Sequence, residues 1–333
     1  MKRLKAEWEK QEAILMAFPH QNTDWKPYIN EARENFLNII KVILQEQKVI
    51  LCLDPSDQEG KDFINTHLKH PNLILTQCLL NDTWARDFGP ISIEEDKQIK
   101  LLDFGFNGWG LKFASNYDNQ ISNHLLKQKI IPNLSTKDLI LEGGSIDTDG
   151  KGTLLTNTQC LLEKNRNPAL TKAEIEKKIK EYLGIDKILW LNHGFLEGDD
   201  TDSHIDTLAR FLNPDTIAYI QCNDKKDIHY EALQKMQEEL RNLRNKDNKA
   251  YKLVPLPLPC IHHLDERLPA SYANFLIINN NKLLLPIYGD KDLDTMAIQA
   301  LSDYYEVIPI ECSTLIKQHG SLHCVTMQIY ELL

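Results

Sequence analysis

The sequence has no run of apolar residues approaching the ~20 needed to span a membrane. The apolar segment nearest the N-terminus, Ala13-Ile14-Leu15-Met16-Ala17-Phe18, stops at Pro19. That is too short for the apolar region of an export signal, and no small-residue cleavage site follows it. The expectation is therefore a cytoplasmic protein that engages no membrane. A basic excess is lacking too. Against 48 acidic residues stand 38 Lys and Arg, a net charge of -10, which disfavours nucleic acid as a partner because a polyanion calls for a basic face. There is no C-x-x-C pair. The seven cysteines (Cys52, Cys78, Cys160, Cys222, Cys260, Cys312 and Cys324) are odd in number and irregularly spaced, so neither a disulfide framework nor a zinc ribbon is indicated. Cys260-Ile261-His262-His263 is half a metal site with no second half in sight. Nor does any low-complexity linker split the chain.

What is present is a regular alternation of helix and strand patterns over 333 residues, with 42% hydrophobic content, enough for a large core. Phe36, Ile39, Ile40 and Ile43 recur at helical spacing and Val49–Leu53 follows as a buried strand. Ala173–Tyr182 predicts a helix stopped by Gly184, with Lys187–Leu191 a strand after it. Leu233, Met236, Leu240 and Leu243 form one apolar stripe on a charged helix, the pattern of a face packed on a core. Phe275–Ile278 and Lys282–Leu285 flank Asn279-Asn280-Asn281 as a hairpin.

Chemistry concentrates at five spots. Arg86-Asp87 lies at a loop tip after a strand, where a carboxylate can match two parallel N–H donors of a guanidinium or simply close a surface turn with its neighbour. Asp82 is a rival carboxylate better suited to a turn. Glu142-Gly143-Gly144 places an acid before two glycines at a strand end, either as an acid–base or histidine-orienting group or as part of a bulge. Asp202-Ser203-His204-Ile205-Asp206 offers a proton shuttle in His204, with Asp206 on the same face if the segment is extended. Tyr272 marks the fourth spot. Gly320-Ser321-Leu322-His323-Cys324 ends in a thiol that suits a nucleophile if a neighbouring base or cation lowers its pKa, and His323 need only shape the turn. These spots are spaced by roughly 60 residues, which hints at a repeated ββαβ-sized unit that brings one loop from each copy to a shared centre.

Together, Trp84-Ala85-Arg86-Asp87-Phe88-Gly89-Pro90, Phe106-Asn107-Gly108-Trp109-Gly110, Leu141-Glu142-Gly143-Gly144-Ser145, Asn165-Arg166-Asn167-Pro168, His204-Ile205-Asp206, Ala270-Ser271-Tyr272-Ala273-Asn274-Phe275 and His323-Cys324 resemble the agmatine deiminases of the guanidino-group-modifying (pentein) superfamily, related to bacterial-type peptidyl-arginine deiminases. The likeness runs in order over almost the whole chain. It implies a single catalytic domain over residues 1–333, a five-bladed α/β propeller of pseudo-fivefold ββαβ units around a central active site. It implies hydrolysis of agmatine to N-carbamoylputrescine and ammonia through a covalent cysteine thiouronium, with no metal and no other cofactor, in a cytoplasmic protein of polyamine metabolism. Carried over position by position, Cys324 corresponds to the nucleophile, His204 to the general acid and base, Glu142 to its partner, Asp87 and Asp206 to the guanidinium clamps, and Trp84, Trp109 and Tyr272 to the pocket walls. Members of the family are often dimers or larger, so a homo-oligomer is a further expectation.

The chain departs from the family pattern at His319-Gly320-Ser321-Leu322, where a glycine-rich run is usual, at Thr326-Met327-Gln328, and at Ser203, where glycine is usual. Other readings stay open. The substrate can be arginine or peptidyl-arginine. Asp202, His204 and Asp206 match the Asp-x-His-x-Asp pattern of manganese ureohydrolases, although the remaining ligands of such a two-metal site are missing. A non-catalytic pentein-fold binding protein of the kind that associates with ribosomes is the third.

Overall fold

The computed structural model describes residues 2–333. Five mixed sheets carry the architecture. Each pairs a first strand antiparallel to a second, and the second parallel to a third reached through a helix. Gln98–Gly105 lies between Ile91–Glu95 and Ser135–Ile140, with Ile121–Lys127 as the crossover helix. Thr153–Asn157 sits between Ile146–Thr148 and Lys187–Leu191, joined through Lys172–Leu183. Thr216–Gln221 is flanked by Ala209–Asn213 and Lys252–Pro257, with Tyr230–Asn242 between. Lys282–Ile287 pairs with Leu276–Ile278 and Glu306–Glu311 across Lys291–Ser302. The fifth sheet takes its first strand, Met327–Ile329, from far along the chain and sets it against Ala13–Ala17, which continues to Lys48–Leu53 and Leu73–Gln77. The ββαβ unit read from the spacing is thus present five times.

Local chemistry explains the elements. The helix Lys172–Leu183 begins at a reciprocal cap, Thr171 with Glu174, and ends at Gly184 in the left-handed conformation (φ +67°), where a side chain costs energy. Strands read as continuous apolar runs because both faces are covered: every residue of Ala13–Ala17 is fully buried. Burial of side chains such as Ile14, Leu15 and Met16 stabilises the fold by roughly 1.5–3 kcal/mol each. Asn280 and Asn281 take positive φ at the predicted hairpin, as Asn tolerates. No helix among the described residues is long and apolar enough to cross a membrane. All seven cysteines are unpaired.

Candidate active site

Loops at the ends of these strands converge on one cavity. Trp84, Asp87, Trp109, His204, Asp206 and Cys324 all line it. Asp87 arrives on the single helical turn Ala85–Phe88. The Asp202–Asp206 segment is not the extended stretch that the sequence suggests: Asp202 and Ser203 adopt positive φ (+65° and +67°) and Ile205–Thr207 forms a 3₁₀ turn. Asp206 reaches the cavity wall because the chain turns there, not because alternate residues share a strand face. Backbone at φ > 0 is costly for a side-chain-bearing residue, which explains why glycine is usual at position 203 in the resembling family.

Gly144 marks the point of convergence. A Cβ on it would lie 2.5 Å from His204 Nδ1, 3.0 Å from Asp87 Oδ1 and 3.2 Å from Asp206 Oδ2. Its own N–H donates to Asp87 Oδ1 at 3.0 Å, and Trp109 Nε1 donates to Asp87 Oδ2 at 2.9 Å. Asp87 is nonetheless raised to about 6, because burial and the repulsion of Asp206 and Glu142 outweigh what His204 and Trp109 return. Asp206 moves the other way. Burial alone would raise it, but the hydrogen bond and charge of His323 hold it below the usual carboxylate range.

Glu142 is fully buried behind His204, with Oε2 3.3 Å from Nε2. His204 Nδ1 lies 3.6 Å from Asp87 Oδ1. Burial would push the His204 ring down; the negative charge of Asp87 and hydrogen bonding to Cys160 and Glu142 more than offset it, so it titrates well above the usual imidazole range. Glu142 is matched on its far side by Arg166, whose Nε donates to both carboxylate oxygens at 2.8 and 3.0 Å.

Cys324 overturns one expectation. No cation lowers its thiol. Burial, then Asp206 and Asp87, push it well above the usual range. Its Sγ lies 3.9 Å from Asp206 Oδ2 and accepts from Asn274 Nδ2 at 3.3 Å. The Asn274 side chain also takes the backbone N–H of His323 on Oδ1 at 2.9 Å, which locks the loop ahead of the sulfur.

Ligand atoms of Glu142, Cys160 and His204 all fall within 4.8 Å of one another, a spacing open to a metal ion, but the Arg166 guanidinium already occupies both oxygens of Glu142. The ureohydrolase arrangement does not form. Asp202 turns away from His204 to pair with Arg166 Nη1 at 2.7 Å and Lys112 Nζ at 2.8 Å.

Tyr272 does not wall the cavity. It is fully buried, donates its hydroxyl to Asp294 Oδ1 at 2.7 Å and packs on Tyr288. Its bulk suits a core position, which the motif alone does not distinguish from a pocket wall. Asp82, read as a turn residue, does cap Thr83 N at 2.8 Å, yet it also lines the cavity, accepts from Trp25 Nε1 at 2.9 Å and is pushed up to about 6 by burial. Asp24, Asp199 and Asp200 line the same cavity. Trp84 stands against Gly320, where a Cβ would meet its ring at 2.1 Å. Glu7 and Arg210, which sequence reasoning passed over, reach the back of the site through His323.

The model for the Porphyromonas-type peptidyl-arginine deiminases matches residues 3–329. The chain belongs to that family. A crystal structure assigned provisionally to a peptidyl-arginine deiminase is 52% identical, covers 99% of both chains and superposes with a TM-score of 0.96. The agmatine deiminase of C. jejuni, solved as a Cys-to-Ser variant with substrate bound, is 40% identical with a TM-score of 0.91, covering 100% of this chain and 97% of that one. The agmatine deiminase of Pseudomonas aeruginosa strain LESB58 is 31% identical over 98% of this chain and 95% of its own length.

Proposed function

We propose that this family member is an agmatine deiminase, hydrolysing agmatine to N-carbamoylputrescine and ammonia, and that its five sheets surround the site as the blades of one propeller-like catalytic domain. The agmatine deiminases among its relatives support the reaction. The observation that carries the substrate is the charge of the cavity. Asp87 and Asp206 stand beside Cys324, and Asp24, Asp82, Asp199 and Asp200 line the same cavity. No Arg or Lys among the described residues lines it. Arg86 is spent on Gln328 Oε1 (2.7 Å) and Arg166 on Glu142 and Asp202. A ligand with two cations fits this excess of carboxylates, whereas the α-carboxylate of arginine would add negative charge to it.

In the mechanism we infer, the guanidinium enters between Asp87 and Asp206 and aims its carbon at Sγ. Its positive charge compensates the two aspartates that, with burial, keep the free thiol protonated, so the thiol gives up its proton to solvent as substrate binds and leaves a thiolate. Sulfur adds to the carbon, and His204, protonated because of Asp87 and Glu142, gives its proton to a terminal nitrogen that leaves as ammonia. The thiouronium remains on Cys324. His204, now neutral, takes a proton from water as the oxygen adds to the carbon; the C–S bond then breaks, releasing the ureido product and the thiolate. Acid–base assistance of this kind is worth ~10²–10⁴-fold, and orientation by two carboxylates adds to it.

The test is ammonia release from agmatine and from L-arginine in parallel, with a chelator present, for the wild type and Cys324→Ala. Turnover of agmatine that survives the chelator and disappears with Cys324 is expected. Urea as product, or equal turnover of arginine, overturns the reading.

A further inference from the structure

Asp206 must offer one oxygen to a substrate cation while sitting in a buried site beside another carboxylate. Its two oxygens are treated differently by the protein. Oδ2 lies 2.7 Å from His323 Nδ1. Oδ1 is buried with no hydrogen-bond partner, on a residue that lines the cavity. The opposite edge of the His323 ring is held as firmly. Nε2 lies 2.8 Å from Glu7 Oε2. Glu7 in turn accepts Arg210 Nη2 on that oxygen at 2.8 Å and the backbone N–H of Ile277 on Oε1 at 2.6 Å. Both ring nitrogens therefore face carboxylate oxygens, and ionised carboxylates only accept. The ring is thereby held in one plane between Asp206 and Glu7.

The consequence for Asp206 is directional. The hydrogen bond that compensates it comes through Oδ2, with the charges of His204 and Arg210 adding to that of His323, so the carboxylate stays ionised and in one rotamer while Oδ1 keeps no protein partner. Without that support a carboxylate this buried and this close to Asp87 relaxes by turning away or by taking a proton, and a protonated carboxyl does not clamp a guanidinium. Glu7, outside the cavity and nearly 200 residues away in sequence, fixes the ring that does this.

Taking the deiminase reading of the site as its basis, we infer that Glu7 and His323 are positioning residues for the reaction: a Glu7–His323–Asp206 relay that holds the Asp206 carboxylate for the substrate guanidinium and leaves its Oδ1 free of protein partners. Neither touches the reacting atoms.

The two amide replacements of His323 separate this role from a structural one. Asn places an N–H where Nδ1 stands and keeps the bond to Asp206; Gln places one where Nε2 stands and keeps only the bond to Glu7. The experiment measures KM and kcat for agmatine, together with protection of Cys324 from iodoacetamide by agmatine, in the full-length wild type, His323→Asn, His323→Gln and Glu7→Gln. Protection reads binding whether or not the site turns over. For His323→Gln, KM and the half-protecting concentration are expected to rise about tenfold or more, the loss of one charge-assisted hydrogen bond. His323→Asn is expected to lie nearer the wild type, and Glu7→Gln between the two. A merely structural role lowers the titratable thiol and kcat together, leaves KM unchanged and shows no such ranking. Wild-type protection in His323→Gln, or a reversed order, overturns the relay. Absence of agmatine turnover in a wild type that agmatine still protects overturns the deiminase reading instead, and leaves the ranking of protection to decide the relay.

Discussion

Arg166 holds both carboxylate oxygens of Glu142 through one nitrogen, and Glu142 in turn lies 3.3 Å from His204, so the orientation of the imidazole rests on a guanidinium that never enters the cavity. Removing one member of a buried pair leaves an uncompensated charge and costs about 3–5 kcal/mol. Arg166→Met is expected to destabilise the protein by that order in denaturant titrations and to reduce kcat. Arg166→Lys is expected to recover only part, since one ammonium cannot reach Glu142, Asp202 and the Thr201 carbonyl from the positions the fork takes. A lysine variant equal to the wild type in both respects would remove the fork from the argument.

Asp87 is expected to be a stability liability. Its carboxyl titrates near 6 in the folded protein against an ordinary value of 3.8, so the native state binds this proton more tightly than the unfolded chain does. The sign follows: stability falls as pH rises from about 4 through about 6 and stays lower above that, by about 3 kcal/mol as an order of magnitude. Asp87→Asn removes the penalty, retains an acceptor for Trp109 or Gly144, and is expected to raise the thermal midpoint at pH 8 while activity drops at least a hundredfold. A lower midpoint at that pH would show that the buried charge is not what strains the site.

The same titration predicts the acidic limb of kcat/KM. Agmatine needs Asp87 ionised, so activity is expected to rise with unit slope through about pH 6. The alkaline limb, set by loss of the His204 proton, is expected well above the usual imidazole range. A profile flat across the region near pH 6 would exclude Asp87 as the titrating group.

Gly144→Ala would place a methyl 2.5 Å from His204 Nδ1 and 3.0 Å from Asp87 Oδ1. The side chains must part to admit it. The expected result is a loss of kcat of at least a hundredfold with a folded, cooperatively unfolding protein, read by activity and circular dichroism side by side. Near-normal turnover would mean that the convergence at this glycine is not needed.

Much of this was legible in the sequence, for physical reasons that differ by residue. Apolar runs bounded by turn residues announce strands such as Lys187–Leu191 and helices such as Lys172–Leu183, because local pattern and burial agree there. Asp87 and Glu142 stand out as carboxylates in loops after strands, and Cys324 stands out only beside the other four spots, since a His-Cys pair alone says little. Other features are written only in three dimensions. Glu7 is one acid among several in a charged segment, and its partners His323 and Arg210 lie 316 and 203 residues away. Asp202 and Ser203 at positive φ broke the alternation that an extended reading assumes. The high thiol pKa of Cys324 comes from burial and then from Asp206 and Asp87, which no spacing rule sets beside it.

The strand Met327–Ile329, which begins three residues after Cys324, pairs with Ala13–Ala17. A ribosome must therefore make residue 329 before the sheet that opened at residue 13 can accept this edge strand, and the loop that carries Cys324 gains its anchor on that side only then. The contact that ties this loop down is among the longest-range, hence slowest to find, in the fold.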